Sequence, residues 1–215
     1  MYTLKPHSVI LFQGDSITDT GRSRLAFGPN KGDDLGFGYP RMIADQLLAE
    51  NQGQYLQFYN RGISGDRIRD LEDRWERDTL KLGPDLLSIL IGVNDTWNYL
   101  FSGLGSSPEE YRIVFQKLLE LTLHRFPDVQ LALCEPFILL TGEVNEEWEE
   151  DLVLRQESVV ELAKKFGAIH VPFQHALNNT ASQVTPHLLL EDGVHPTEKG
   201  HQLLADCWLK TVFDK

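Results

Sequence analysis

"VILFQGDSIT", Val9 to Thr18, runs apolar for four residues and then breaks at once into Gly14-Asp15-Ser16. A short apolar run bounded by such residues reads as a buried strand, and reactive groups collect in the loops at strand ends. Asp and Ser are also good helix N-caps, so this segment alone leaves two readings open: a capped turn, or a strand end that presents a hydroxyl.

Similar runs recur down the chain. They are Tyr55–Asn60, Leu86–Gly92, Val129–Pro136 and Ala168–Pro172, which with Val9–Gln13 make five expected strands. Between them lie stretches with helical spacing: "YPRMIADQLLAEN", "RIRDLEDRWERDTL", "SPEEYRIVFQKLLELTLHRF" and "NEEWEEDLVLRQESVVELAKKFG". Ser107-Pro108-Glu109 is a helix-start signal, an N-cap followed by proline and an acid in the first turn. Gly167 stands where a glycine would stop the helix begun near Asn145. A last segment, "TEKGHQLLADCWLKTVF", closes the chain as a helix with Leu203, Leu204, Cys207 and Val212 inward. Strands alternating with helices argue for parallel pairing, because parallel neighbours need long crossovers. The expected fold is α/β, a three-layer α/β/α sandwich on a five-stranded parallel sheet. It is expected as a single domain over residues 1–215, with no repeat or linker. The acidic patch Glu143–Asp151 reads as a solvated helix face whose one apolar contact is Trp148.

Composition narrows the function classes. The chain has 215 residues, 41% hydrophobic and 24% charged, with a net charge of −12. That charge opposes nucleic acid and anionic membrane surfaces as partners, since both demand basic patches. Neither a secretory h-region nor a membrane-length apolar run is present, so the expected location is cytoplasmic. The two cysteines, Cys134 and Cys207, read as core residues, and no His/Cys/carboxylate cluster has ligand spacing, so neither a metal nor a cofactor is expected.

In open parallel sheets, sites form beyond the carboxyl ends of the strands. There this chain places Gly14-Asp15-Ser16, then "NRGISGD" (Asn60–Asp66), then "GVNDTW" (Gly92–Trp97), with "DGVHP" (Asp192–Pro196) before the last helix. These are parts for acyl transfer, which needs a nucleophile, a base and donors for an oxyanion. Ser16 supplies the hydroxyl. His195 can take its proton, and Asp192, three residues earlier, can fix the imidazole tautomer. The backbone N–H groups of Ser16 and Gly65 and the amide of Asn94 offer oxyanion donors. Asp15 is expected to bond nearby backbone and hold the Ser16 turn. Plainer readings stand beside these: an N-cap for Ser16, a turn glycine for Gly65 as for Gly62, a turn residue for Asn94 with Asp95 as an N-cap, and a structural histidine for His195. Trp97 reads equally as pocket wall or core, and His201 carries no assigned role. Phosphate cradling by "GDSITDT" is weakened by the lack of a P-loop or GxGxxG pattern, and the GxSxG elbow of α/β-hydrolases is absent.

Taken together, "GDS", Gly65, "GVND" and "DGVH" resemble the GDSL or SGNH hydrolase family, over nearly the whole chain from Val9 to His201. The resemblance places the four signature residues on Ser16, Gly65, Asn94 and His195, with Asp192 as triad acid, and implies a flavodoxin-like sandwich. "LFQGDSITDTGRSR", "NRGISGDRIRDLEDRW", "IGVNDTW" and "VHPTEKGH" further resemble the intracellular bacterial acetyl-xylan esterases of that superfamily. Those tend to carry tryptophan directly before the triad acid, where this chain has Glu191. The resemblance implies a serine esterase that removes short acyl groups, above all acetyl from xylo-oligosaccharides, and a homo-oligomer. A general arylesterase, thioesterase or lysophospholipase is the alternative within the family, although the polar loop 27–38 promises no long acyl groove. A non-catalytic carbohydrate-binding module is the alternative outside it.

Overall fold

The computed structural model describes residues 3–24 and 28–213, so Phe27, the first residue of the polar loop named above, lies outside the described residues. The strands are β1 (Val9–Gly14), β2 (Gln57–Asn60), β3 (Leu86–Leu90), β4 (Gln130–Cys134) and β5 (Ile169–Val171). All pair in parallel in the order β2-β1-β3-β4-β5. The order reverses at β1, where one crossover runs to β2 and the next returns to the other side at β3. That reversal opens a crevice at the carboxyl ends of β1 and β3.

Helices cover both faces, and the three inner strands β1, β3 and β4 accordingly bury residues on both sides. Ile10 and Phe12 of β1, Leu86 and Leu90 of β3, and Ala132 and Cys134 of β4 join one core. Helices α2 (Tyr39–Glu50) and α8 (Glu198–Phe213) pack there through Tyr39, Ile43, Leu47, Leu204 and Trp208. The alternate residues Leu11, Leu87, Ile89, Leu131 and Leu133 face a second core, formed with α3 (Ile68–Asp78), α5 (Pro108–Arg125) and α6 (Glu146–Phe166). Burial on both faces is why the strands read as continuous apolar runs rather than as alternation. The one polar break in β3, Ser88, is matched: Trp208 Nε1 donates to its Oγ at 2.9 Å.

The helix signals hold. Ser107 and Glu110 form a reciprocal capping box at the start of α5, and Gly167 closes α6 in the left-handed conformation at φ 62°. Several expectations need correction. Strand pairing is shorter than four of the five apolar runs; Tyr55, for example, has φ +55° and stacks on His7 before β2 begins. "GVNDTW" is not a loop but the start of a helix, α4 (Val93–Phe101), capped by Gly92, so Asp95 lies in the first turn and is no cap. A four-residue helix, α1 (Ser16–Asp19), follows β1, and α7 (Phe173–Ala181) follows β5. The acidic patch is not wholly solvated: Val144 and Trp148 are buried, and Asp151 accepts from fully buried Arg155 at 3.0 Å. On α8, Leu204 and Val212 are buried while Leu203 and Cys207 are half-buried.

Candidate active site

The Ser16 hydroxyl stands on α1, a tight turn that β1 can enter only through Gly14. A Cβ at Gly14 would lie 2.4 Å from the Leu90 carbonyl oxygen. Asp15, not Ser16, is the N-cap: its Oδ1 accepts from the Ile17 N–H at 3.0 Å, which is the turn-holding bond expected of it. Ser16 therefore occupies the first helical position, half-buried at the rim. Its Oγ lies 2.9 Å from His195 Nε2, across 179 residues of chain.

His195 Nδ1 is 2.7 Å from Asp192 Oδ2. An ionised carboxylate only accepts, so Nδ1 carries the proton and Nε2 is left to accept from the serine. Asp192 Oδ1 accepts from the N–H groups of Val194 at 2.9 Å and His195 at 2.8 Å. Burial alone would push this carboxyl up, but the bonds from the His195 N–H, the His195 ring and the Val194 N–H outweigh it and hold it below the usual range. The turn is seated by two glycines that cross. A Cβ on Gly142 would meet the Asp192 carbonyl at 2.5 Å, and one on Gly193 the Thr141 carbonyl at 2.4 Å.

The segment after β2 is stitched to the Ser16 turn. Asn60, fully buried, donates to the Thr18 carbonyl at 2.6 Å and accepts from the Gly62 N–H at 2.9 Å. Asp19 Oδ2 accepts from the Ser64 N–H at 3.1 Å. Gly62 is more than a turn glycine, because a Cβ there would sit 2.4 Å from the Asp19 nitrogen. Gly65 instead needs its conformation: its φ is +86° with open space where a Cβ would go. Arg74 locks the other side, with bonds to Asp66 at 2.7 Å, Gln13 at 2.9 Å and the Gly14 carbonyl at 3.2 Å.

Asn94, in the first turn of α4, donates from Nδ2 to the Asp66 carbonyl at 3.1 Å. Beside it Asp95 is fully buried, accepts from the Ile68 N–H at 2.9 Å, and leaves Oδ1 without a partner among the described residues. Asp15 Oδ2 is likewise buried and unpartnered. Desolvation raises both carboxyls to about 7. The structure thus brings together Ser16, Asp192 and His195 by direct hydrogen bonds, and joins the Gly65 and Asn94 segments through Asp66. His201 is buried, pushed down to about 4 by that burial, and its Nδ1 accepts from the Tyr39 N–H at 3.3 Å.

Two cavities meet at His195. One, of about 240 Å³, is bounded by Asn94, Trp97, Val144, Trp148 and Val194. Trp97 therefore is a pocket wall, and it also packs on Trp148 at 5.1 Å between ring centroids. Glu191 lines neither cavity. The other is a shallower basin of about 600 Å³ bounded by Ser16, Arg22, Arg24 and Ser64. Sequence reasoning passed over Trp148, Arg22 and Arg24 as wall residues. Only the position of the two arginines just after "GDSITD" could have signalled them.

Cys134 and Cys207 are free thiols, and burial pushes both up, which fits core residues rather than reactive ones. No helix among the described residues is long and apolar enough to cross a membrane.

Comparison with known proteins agrees with this fold. Residues 12–203 match the GDSL-like lipase/acylhydrolase family. The chain is 34% identical to an acetylxylan esterase of Geobacillus stearothermophilus, over 94% of this chain and 93% of that one. The crystal structure of that bacterium's acetylxylan esterase superposes with a TM-score of 0.87 at 32% identity, covering 98% and 97% of the two chains. Two further structures of it, with single replacements at a serine and at an aspartate, are described as catalytic mutants. A candidate GDSL-like lipase from Parabacteroides merdae superposes with a TM-score of 0.95 at 40% identity over 99% of each chain. With its fold, its signature blocks and most of its length shared with these proteins, the chain belongs to the GDSL-like lipase/acylhydrolase family and is a carboxylic ester hydrolase.

Proposed function

We propose that the protein is a serine esterase that removes acetyl groups from acetylated xylo-oligosaccharides or related sugars through an acyl-enzyme intermediate. The observation that carries this reading is the continuous chain from Ser16 Oγ to His195 Nε2 at 2.9 Å and from His195 Nδ1 to Asp192 at 2.7 Å. Ser16 attacks the acetyl carbonyl while His195 takes its proton. The tetrahedral oxyanion is held by the N–H groups of Ser16 and Gly65 and by the Asn94 amide, whose hydrogen bond to Asp66 is exchanged for the oxyanion. His195 then protonates the departing sugar hydroxyl, and the ester C–O bond breaks. Water, deprotonated by His195, attacks the acetyl-serine and releases acetate. Asp192 stabilises the imidazolium in both halves.

The similarity to acetylxylan esterases supports the acetyl and sugar assignments, and the aromatic wall of Trp97 and Trp148 suits a sugar ring. An acyl-length series with p-nitrophenyl esters separates this reading from the arylesterase, thioesterase or lysophospholipase alternative. Peak activity at acetate is expected, and a peak at about eight carbons or more would reject it. Acetate release from acetylated xylo-oligosaccharides, set against acetylated monosaccharides and chitooligosaccharides, tests the sugar. Ser16→Ala should lower kcat by about 10⁴-fold or more without changing the melting temperature by more than a few degrees.

The same reading takes residues 1–215 as one catalytic unit and the cytoplasm as its setting, where free thiols stay reduced. It also takes the molecule as a homo-oligomer, as the family resemblance implies, with Trp97, Tyr99, Phe101 and Leu104 offering apolar surface at 41 to 72% exposure. Light scattering should give a mass above that of one chain at micromolar concentration; a monomer there rejects the assembly.

A further inference from the structure

The basin on the Ser16 side of His195 has a chemistry that a neutral sugar does not require. Arg22 and Arg24 both line it. Arg24 is matched: its Nη2 lies 2.8 Å from Asp19 Oδ2, a carboxylate that is itself 8% exposed and also accepts from the Ser64 N–H. Arg22 is not matched. Its Nε donates to the Gly62 carbonyl at 2.7 Å, and its guanidinium forms no ion pair among the described residues. Burial first, and then the neighbouring Arg61, Arg24 and Arg74, push its pKa down, although Asp19 pulls the other way. Two arginines against one aspartate leave about one positive charge on this wall, in a chain whose net charge is −12.

A guanidinium anchored through Nε keeps its two Nη groups as a planar fork, the geometry that receives both oxygens of a carboxylate. We propose that Arg22 holds a carboxylate carried on the alcohol half of the ester, so that the preferred substrates are acidic acetylated oligosaccharides. This rests on the acetylesterase reading above, for an acetyl group has no carboxylate of its own and the anion must belong to the sugar. A uronic acid unit next to the esterified sugar meets that description. One uncompensated charge suits a monoanion better than a doubly charged phosphate. Because Arg22 also holds the Gly62 carbonyl, a bound carboxylate steadies the segment that carries Gly65.

Calorimetry on the Ser16→Ala protein tests this without turnover, using two xylo-oligosaccharides of equal length, one bearing a glucuronic acid unit and one neutral. The acidic sugar should bind about tenfold more tightly at low salt, and the advantage should shrink as salt is raised. It should vanish in Ser16→Ala/Arg22→Gln. Should that double variant not fold, the uronamide of the same acidic sugar replaces it as the control on the Ser16→Ala protein, and should bind like the neutral one. Equal or weaker binding of the acidic sugar, a preference that survives the loss of Arg22 or of the ligand charge, or tighter binding of a sugar phosphate overturns the proposal. If the unmutated protein releases acetate from no sugar while the acidic preference holds, the deacetylation reading falls and the carboxylate site stands. If acetate is released but the preference is absent, the reverse is concluded.

Discussion

The two halves of the active site are held in different ways. Ser16, Gly65 and Asn94 follow β1, β2 and β3, and side chains cross-link those three exits: Asn60 to Thr18, Asp19 to Ser64, Arg74 to Gly14 and Asp66, Asp95 to Ile68. Asp192 and His195 follow no strand. They occupy a turn closed by an isolated bridge between Leu190 and Pro196, and three of the bonds that shape the turn end on the Asp192 carboxylate itself. From outside, the turn is held by the glycine crossing and by the Leu139 N–H donating to the Gly193 carbonyl at 2.9 Å. The sheet-borne half thus distributes its geometry over many groups, whereas the turn-borne half concentrates it in one.

If that contrast is right, single substitutions should cost unequally. Apart from removal of the nucleophile itself, Asp192→Asn is expected to do the most damage, about 10⁴-fold in kcat, because it disturbs tautomer and turn together. A loss of less than about tenfold would mean that the turn does not depend on its carboxylate, and the contrast would fail. Asn94→Ala comes next, at about 10²–10³-fold in kcat with KM little changed, as for loss of one oxyanion donor whose backbone stays in place. A comparable rise in KM instead would show that Asn94 serves ground-state binding.

The smallest effect concerns stability rather than rate. Asp95 has its folded pKa raised from 3.8 to about 7 by burial, so between those values the folded protein holds a proton that the unfolded chain has released. Its contribution is fully present below about pH 4 and is lost as pH rises through 7. Asp15 behaves in the same sense. Melting temperature should carry a fall from this source between about pH 4 and 7 and none above it, and Asp95→Asn should remove part of that fall while keeping an acceptor for the Ile68 N–H. An unchanged slope would sink the claim that Asp95 is held protonated, and with it one explanation of how the β2 and β3 exits stay joined.

The same division governs what could be read in advance. The apolar runs and the polar residues that interrupt them are local signals, so the sheet and the helices α2, α3, α5, α6 and α8 were legible, as was the meeting of Ser16, His195 and Asp192 at one rim. Helix α4 was not, because Gly92-Val93-Asn94-Asp95-Thr96 has turn composition; long-range bonds hold it, with Asp95 bonded to Ile68 and the buried Arg155 donating to Thr96 Oγ1 at 2.9 Å. The pairing of Trp208 with Ser88 joins positions 120 residues apart and has no local signal. Arg22 and Arg24 carried no reading of their own: their place just after "GDSITD" is the one local cue, and of the bonds to Gly62 and Asp19 that draw them to the rim, the one to Gly62 is not local. Glu191 stands at a position that resembled pocket wall, yet it is exposed and its N–H donates to the His195 carbonyl at 2.8 Å.

The 179-residue separation between Ser16 and the imidazole that touches it has a consequence for biosynthesis. The serine emerges from the ribosome 179 residues before its base, so a nascent chain that stops short of His195 is chemically mute. A fluorophosphonate added during translation would mark only chains extended past His195, and the moment of labelling would time the docking of α8 onto the sheet.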